Sequence, residues 1–325
     1  MSGVDDTGAA PGAPDTGAAP GAASGTPGGA APGAFRSGFV AVLGRPNVGK
    51  STMVNRLVGR KVSIISDHPQ TTRRRISGVV TSDTHQIVLL DLPGFQRPFD
   101  SLTRRMQATV DGTLAEVDAA LVVLNAAEEL GGGDRFIVAA VAAKAVPAVV
   151  ALNKVDLLRA REVPAHMASA ARLCGELPLL AVSALKGTGL EAVMEGLSAA
   201  MPEGPHYFPD GETSDQPLEV LVGELVREQA LRATREEVPH AIAVEVESMS
   251  ERPGGSLVTI EANLIVESES QKVIVVGKRG EVVKRIGSEA RREIETVIGA
   301  HVYLALHVKV RKRWRRDERY VSRLL

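Results

Sequence analysis

Gly44-Arg45-Pro46-Asn47-Val48-Gly49-Lys50-Ser51 directly follows the apolar run FVAVL at residues 39–43, and this succession decides the fold. The run reads as a buried strand and the octet as the turn into a helix, the pattern G-x-x-x-x-G-K-[ST]. Gly44 and Gly49 let the backbone N–H groups of the loop, including those of Arg45, Asn47 and Val48, face phosphate oxygens, with Pro46 between them. The helix N-terminus adds partial positive charge. Lys50 reaches the β- and γ-phosphates, the Ser51 hydroxyl is placed to bind Mg²⁺, and Thr52 adjoins in the first turn. A chance glycine-rich turn makes the same pattern, so the surrounding chain has to decide.

Downstream, strands and helices alternate: IVLLDLPG at 87–94, a helix near 102–116, AALVVLNA at 119–126, a helix near 136–144, AVVALNKVD at 148–156, a helix near 162–174, LLAVSA at 179–184 and a helix near 189–200. Continuous apolar strands of this kind belong to an α/β fold with a mostly parallel sheet and helices on both faces. Its ligand loops lie at strand C-termini. Asp91-Leu92-Pro93-Gly94 ends one strand, placing Asp91 for the Mg²⁺ shell and the Gly94 N–H near a γ-phosphate. Asn153-Lys154-Val155-Asp156 ends another. The Asp156 carboxylate can accept two hydrogen bonds from guanine N1 and N2, an edge adenine lacks, so the motif selects GTP. Ser183-Ala184-Leu185 ends the next, with the Ala184 N–H aimed at guanine O6. Between Ser51 and Asp91, Pro69-Gln70-Thr71-Thr72-Arg73-Arg74 is too polar for core and suits a switch loop. One hydroxyl, Thr71 or Thr72, completes Mg²⁺ coordination while the γ-phosphate is present.

The chain has 325 residues, 44% hydrophobic and 24% charged, an ordinary globular composition of about two domains. One cysteine, Cys174, excludes an internal disulfide framework and points to a reducing setting. The longest apolar stretch, residues 137–152, is broken by Lys144 and Pro147, short of the roughly 18 residues of a membrane span. The first residues carry Asp5 and Asp6 and no apolar core of a signal sequence, so a cytoplasmic location is expected. Residues 1–34 contain 9 Gly, 10 Ala and 5 Pro, and with so little side-chain area to bury they read as a disordered leader.

Residues 201–216, MPEGPHYFPDGETSDQ, lack periodicity and read as a linker. Beyond them the order is helix (218–234), strand (241–248), strand (256–266), short helix (272–276), helix (281–298) and strand (302–310). Between the last two helices stands Gly277-Lys278-Arg279-Gly280. A G-x-x-G loop allows close approach of a nucleic-acid backbone, Lys278 and Arg279 neutralise phosphates, and a groove beside it holds about four single-stranded nucleotides. Charge agrees: residues 272–325 hold 15 Lys and Arg against 6 Asp and Glu, whereas residues 216–271 hold 4 against 11. Lys284, Arg285, Arg311 and Arg313 extend the basic set, and Trp314 inside the run Lys309, Arg311, Lys312, Arg313, Arg315 and Arg316 offers a ring for a base or sugar.

GRPNVGKS, QTTRR, DLPG, NKVD and SAL in this order, with the KH-type loop, resemble the Era family of GTPases. The resemblance implies a P-loop G domain (35–201), a linker (202–216) and an α+β type II KH domain (217–325). It implies GTP hydrolysis to GDP with Mg²⁺ held by Ser51, Thr72 and Asp91, and catalytic roles for Lys50, Thr72, Asp91, Gly94 and Asn47. It further implies binding near the 3′ end of 16S rRNA in assembly of the 30S subunit, as a monomer, with a weak peripheral attraction to the cell membrane. Phe95 stands where Ras-like proteins have the water-orienting glutamine, and Gln96 comes one position late. Relatives lacking that glutamine place the water by other means, in several cases with K⁺ held by the asparagine matching Asn47. Intrinsic hydrolysis is therefore expected to be slow. Arg73 and Arg74 are expected as switch-loop or RNA contacts, with a cis arginine finger as the lesser alternative. Two other readings stay open: an RNA-binding scaffold with structural GTP, and a peripheral membrane GTPase drawn to anionic lipid by the C-terminal basic run, which lacks a broad apolar face.

Overall fold

Alternation of side chains along the first strand sets the layers. In a computed structural model, which describes residues 34–66, 68, 71–94, 100–252 and 257–324, β1 (Arg36–Leu43) sends Val40 and Val42 to one face of the sheet and Ala41 and Leu43 to the other. The expectations placed on residues 1–33, Pro69, Gln70, Phe95 and Gln96 lie outside the described residues.

After β1 come α1 (Lys50–Val58), β2 (Ile76–Thr81), β3 (His85–Asp91), α2 (Ser101–Leu114), β4 (Ala119–Asn125), α3 (Gly132–Ala143), β5 (Ala148–Asn153), α4 (Val163–Cys174), β6 (Leu179–Ala181) and α5 (Leu190–Ala200). The six-stranded sheet runs β2-β3-β1-β4-β5-β6, parallel except for β2, which pairs antiparallel with β3. Because β3 and β4 leave β1 on opposite sides, a crevice opens at its C-terminal end. The loop of Gly44 to Ser51 lies there. Met53 and Val54 of α1 and Val193 and Leu197 of α5 cover one face; Val110, Ile137, Val141 and Ala170 cover the other.

A second sheet follows, built from α6 (Leu218–Ala233), α7 (Val238–Ala241), β7 (Ala243–Glu251), β8 (Leu257–Val266), α8 (Glu269–Val276), α9 (Glu281–Ile298), β9 (His301–Val310) and α10 (Glu318–Leu324). Its order is β7-β8-β9, with β7 antiparallel and β9 parallel to β8. Apolar positions of α6 and α9, among them Val222, Leu225, Ile286, Ala290 and Ile294, bury against Ile260, Leu264 and Val302 of the sheet.

The expected linker is not a free spacer. Gln86 accepts the Tyr207 and Phe208 N–H groups on Oε1 at 2.7 and 2.9 Å and donates Nε2 to the Phe208 carbonyl at 2.9 Å. Phe35 stacks on His206 at 4.0 Å, and Val79 of the edge strand β2 donates to the Thr213 carbonyl. The segment straps that edge, satisfying backbone groups an exposed edge leaves open. One buried amide and a pair of aromatic rings do this, and hydropathy periodicity does not register them.

The two sheets share contacts. Leu102 and Met106 of α2 pack with Ala243, Ile265, Trp314, Tyr320 and Val321 in one apolar cluster, and Ile64, from the loop after α1, joins the core of the second sheet.

Candidate functional site

The loop after β1 has the backbone its glycines imply. Gly49 sits at φ 100°, where a Cβ would stand 2.4 Å from Asn153 Nδ2, and Gly44 at φ 159° would place one 2.6 Å from the Val123 carbonyl. Neither position accepts a side chain. Lys50, 6% exposed, folds back over the loop and donates to the Gly44 and Arg45 carbonyls at 3.1 and 3.0 Å. Burial lowers its ammonium to about pKa 8, with Asp91 working in the opposite direction. Its charge is thus held in a place that favours an incoming anion. Pro46, Asn47, Gly49, Lys50, Ser51, Thr52, Thr71, Thr72, Gly94 and Lys154 line one cleft, to which Ile64, Ile65 and Ser66 add a wall.

At its floor, Ser51 Oγ donates to Asp91 Oδ2 at 2.7 Å and lies 3.0 Å from Thr72 Oγ1, itself 3.4 Å from the same carboxylate oxygen. Asp91 is fully buried, its Oδ1 has no protein partner, and burial raises its pKa against the opposing effect of Lys50 and the hydroxyls. An orphaned carboxylate oxygen beside two hydroxyls fits a small hard cation that completes its shell with phosphate and water. No cluster of three His, Cys, Asp or Glu occurs among the described residues. Thr71 is elsewhere: its hydroxyl donates to the His68 carbonyl at 2.6 Å. Of the two threonines, Thr72 is the one beside Ser51 and Asp91. Leu92 is fully buried beneath this loop, with Pro93 also buried.

Arg45 contributes backbone alone, since its side chain pairs with Asp134 and Glu128 at 2.9 and 3.0 Å. Lys154 takes φ 67° and donates Nζ to the Asn47 carbonyl at 2.6 Å, bracing the loop. Asn153 Nδ2 donates to the Val48 carbonyl at 2.8 Å. Asp156 accepts from Ser183 Oγ at 2.6 Å on Oδ1, leaving Oδ2 for a base edge. Ala184 departs from expectation. Its N–H donates to Asn153 Oδ1 at 2.9 Å and the residue is buried, so a guanine carbonyl must share that donor. Leu185 is exposed, and its carbonyl accepts from Arg56.

Sequence reasoning missed what the loop after α1 is tied to. Lys61 pairs with Glu228 and Glu293, both at 2.5 Å. Arg227 Nη2 donates to the Thr71 carbonyl, and Arg74 Nη2 to the Leu324 carbonyl. Arg73 is 4% exposed, donates to the Ile242 and His240 carbonyls at 2.6 and 3.3 Å, and lies 5.4 Å from the Trp314 ring centroid. Polar though they are, Thr72 and Arg73 are buried. Arg73 and Arg74 do not line the nucleotide cleft; each donates to carbonyls around the second sheet.

The chain matches the family model described as a 50S ribosome-binding GTPase over residues 39–154 and the KH domain model over residues 237–315. A crystal structure of Era in complex with MgGDPNP and nucleotides 1506–1542 of 16S ribosomal RNA is 37% identical, with TM-score 0.86, covering 89% of this chain and 98% of that one. The chain belongs to the Era family. A tyrosine-to-alanine variant of Aquifex aeolicus Era bound to GDP·AlF₄⁻ is likewise 37% identical, with TM-score 0.85, covering 89% of this chain and 99% of that one. The first sheet is thus an Era G domain, a GTPase, and the second its KH domain.

In that KH domain Gly277 takes φ 71°, where a Cβ would meet Val282 Cγ2 at 2.4 Å; Arg279 takes φ 54° and Gly280 φ 78°. The tight loop leaves Lys278, Arg279, Lys284 and Arg285 exposed beside the apolar Val273 and Ile274, 70% and 51% exposed. The rest of the basic set is different. Arg311 pairs with Asp317 at 2.7 Å and stacks over Tyr320, while Arg315 and Lys309 pair with Glu267 and Glu247. Arg313 is exposed in a left-handed turn. Trp314, expected as a stacking ring, is fully buried, its Nε1–H on the Ala241 carbonyl at 2.8 Å. An indole so placed belongs to the contact with α2 and is closed to a base.

Proposed function

We propose that this chain hydrolyses GTP and, through its KH domain, binds the 3′ end of 16S rRNA during assembly of the small ribosomal subunit, with nucleotide state gating RNA binding. Family membership and the RNA held by the Era relative support the partner. The G-domain family model whose description names the 50S ribosome matches residues 39–154 alone, apart from the KH loop, and carries no choice of RNA. One observation carries the gating. The segment that brings Thr72 to Ser51 and Asp91 is the segment whose Ile64, Thr71 carbonyl, Arg73 and Arg74 are held by KH-domain residues. A ligand shifts such an equilibrium through its differential affinity for the two arrangements, so GTP and RNA should help each other bind.

In this reading Lys50 and the backbone N–H groups of the loop orient the triphosphate, and Gly94 presents its N–H to the terminal phosphate. Asp156 and Asn153 select guanine, and Asp91 stands beside Ser51 and Thr72. Ser51, Thr72 and Asp91 hold Mg²⁺, which when bound neutralises charge developing on phosphate oxygens. With phenylalanine at 95, no glutamine directly follows Gly94, so water is positioned by other groups and the intrinsic rate is low. Asn47, in the wall of the cleft, would be the residue to hold K⁺, which would supply positive charge beside the phosphates. The domain limits are 35–201 and 217–325, with 202–216 as a strap. The protein acts as a cytoplasmic monomer; exposed Lys312, Arg313 and Arg316 give at most a weak, salt-sensitive attraction to anionic lipid. No described helix is long and apolar enough to cross a membrane.

Single-turnover GTP hydrolysis in potassium buffer, with and without an oligomer from the 3′ end of small-subunit rRNA, tests this reading. Acceleration by RNA that is lost in Lys278→Asp/Arg279→Asp is expected. Tight RNA binding without acceleration, in potassium and in sodium alike, favours the scaffold reading.

A further inference from the structure

Just beyond Thr72 the chain carries three consecutive arginines, and two of them are engaged by KH-domain carbonyls. Arg73, Arg74 and Arg75 line a cleft together with Arg105 of α2 and the residues leading into α6. The one carboxylate on its wall is Asp215, which accepts from Ser77 Oγ at 3.1 Å. Four arginines and one carboxylate thus line it. Polar groups in the cleft lack protein partners: Arg73 Nε is buried and unpaired, and so are both side-chain amide atoms of Gln216. Arg75 and Arg105 are exposed and make no ion pair among the described residues. A neighbouring cavity shares Arg73 and Arg74 and adds Arg227, whose Nη1 is unpaired while its Nη2 pairs with Glu224 at 2.6 Å; Glu219, Glu245 and Glu247 also line that second cavity, so its charge is balanced and the excess lies on the side of Arg75 and Arg105.

We propose that this junction cleft binds a phosphate-type anion, held by Arg73, Arg74, Arg75 and Arg105. Guanidinium forks match tetrahedral oxyanions, and several forks converging on one dianion satisfy donors a carbonyl cannot. Burial first, and then Arg227, brings the Arg73 pKa down to about 9, with Glu224 working in the opposite direction. The position gives the anion a consequence. It bridges the segment after Thr72, helix α2 after the Asp91 loop, and the entry to α6, three parts that have to stay together for nucleotide and KH domain to sense each other. The inference goes beyond the proposed function and does not depend on hydrolysis. The anion has two sources, free phosphate or a phosphate of bound RNA.

The full-length protein saturated with GMP-PNP and Mg²⁺ keeps the nucleotide cleft filled, so added anion reports on the junction. Inorganic phosphate is titrated calorimetrically at fixed ionic strength into this complex and into Arg75→Glu/Arg105→Glu, with Arg75→Gln/Arg105→Gln as the milder pair. For a free anion, phosphate binds and the charge-reversed pair loses about tenfold or more in affinity, the neutral pair less. For an RNA phosphate, free phosphate does not bind, but the slope of log K against log salt for the rRNA oligomer falls by about 1 to 2 in the variants. Equal phosphate affinity in all three proteins, or no phosphate binding with an unchanged salt slope, overturns the proposal.

Discussion

Replacing Arg73 by methionine separates a structural tie from a catalytic finger. The change keeps most of the side chain's volume but withdraws two hydrogen bonds, to the Ile242 and His240 carbonyls, and the contact over Trp314. A buried carbonyl left unpaired costs about 1 to 3 kcal/mol, and the cation–π contact adds about 0.5 to 2 kcal/mol. Relief offsets part of this, because Arg73 is desolvated and lies near Arg227 and Arg315. The net expectation is a loss of about 2 to 4 kcal/mol in docking of the switch segment on the KH domain. Trp314 is the chain's single tryptophan and lies in the perturbed contact, so urea unfolding followed by its emission reads the effect directly. With a slope of about 2 kcal/mol per molar, the midpoint falls by roughly 1 to 2 M. Arg73→Lys should fall between, since one ammonium cannot span two diverging acceptors. An unmoved midpoint together with a large fall in GTP hydrolysis would refute the reasoning and make Arg73 a finger.

Three further outcomes are expected. Asp156→Asn relaxes guanine preference, measured as the ratio of GTP to ATP affinity, and an unchanged ratio removes Asp156 from the base site. Trp314→Phe keeps ring packing but orphans the Ala241 carbonyl, so stability drops by about 1 to 3 kcal/mol while RNA affinity holds; weaker RNA binding at unchanged stability would return Trp314 to the RNA surface. Lys50 has a folded pKa lowered to about 8 from 10.5. Between these values the unfolded chain binds the extra proton, so nucleotide-free stability rises with pH across the window. Phosphate favours the protonated lysine, so nucleotide binding takes up a proton and weakens as pH rises above 8. Affinities measured at pH 7 and 9.5 check this, and pH-independent binding would contradict it.

The nucleotide site was legible because its residues act locally: Gly44, Gly49, Lys50 and Ser51 lie within one loop, and Asp91, Asp156 and Ser183 each end or closely follow a strand. The KH loop was legible for the same reason. What the sequence hid was contact between distant segments made through backbone atoms. Arg73 donates to the Ile242 carbonyl, 169 residues away, and any residue at 242 offers that carbonyl. Trp314 among arginines reads as a stacking ring until Ala241 supplies an acceptor for its indole N–H and α2 supplies Leu102 and Met106 as a cover. Likewise the strap at 202–216 is pinned in part by Gln86, whose polarity on an apolar strand was the available hint.

Reciprocal coupling between nucleotide and RNA is the central claim, and an equilibrium measurement tests it without reference to rates. Fluorescence anisotropy of the rRNA 3′-end oligomer, titrated with the full chain saturated by Mg²⁺ with GMP-PNP or with GDP, should show tighter binding in the triphosphate state. The difference should shrink in Arg73→Met, where the switch segment is untied from the KH domain. Equal RNA affinity in both nucleotide states of the unaltered protein would contradict the account.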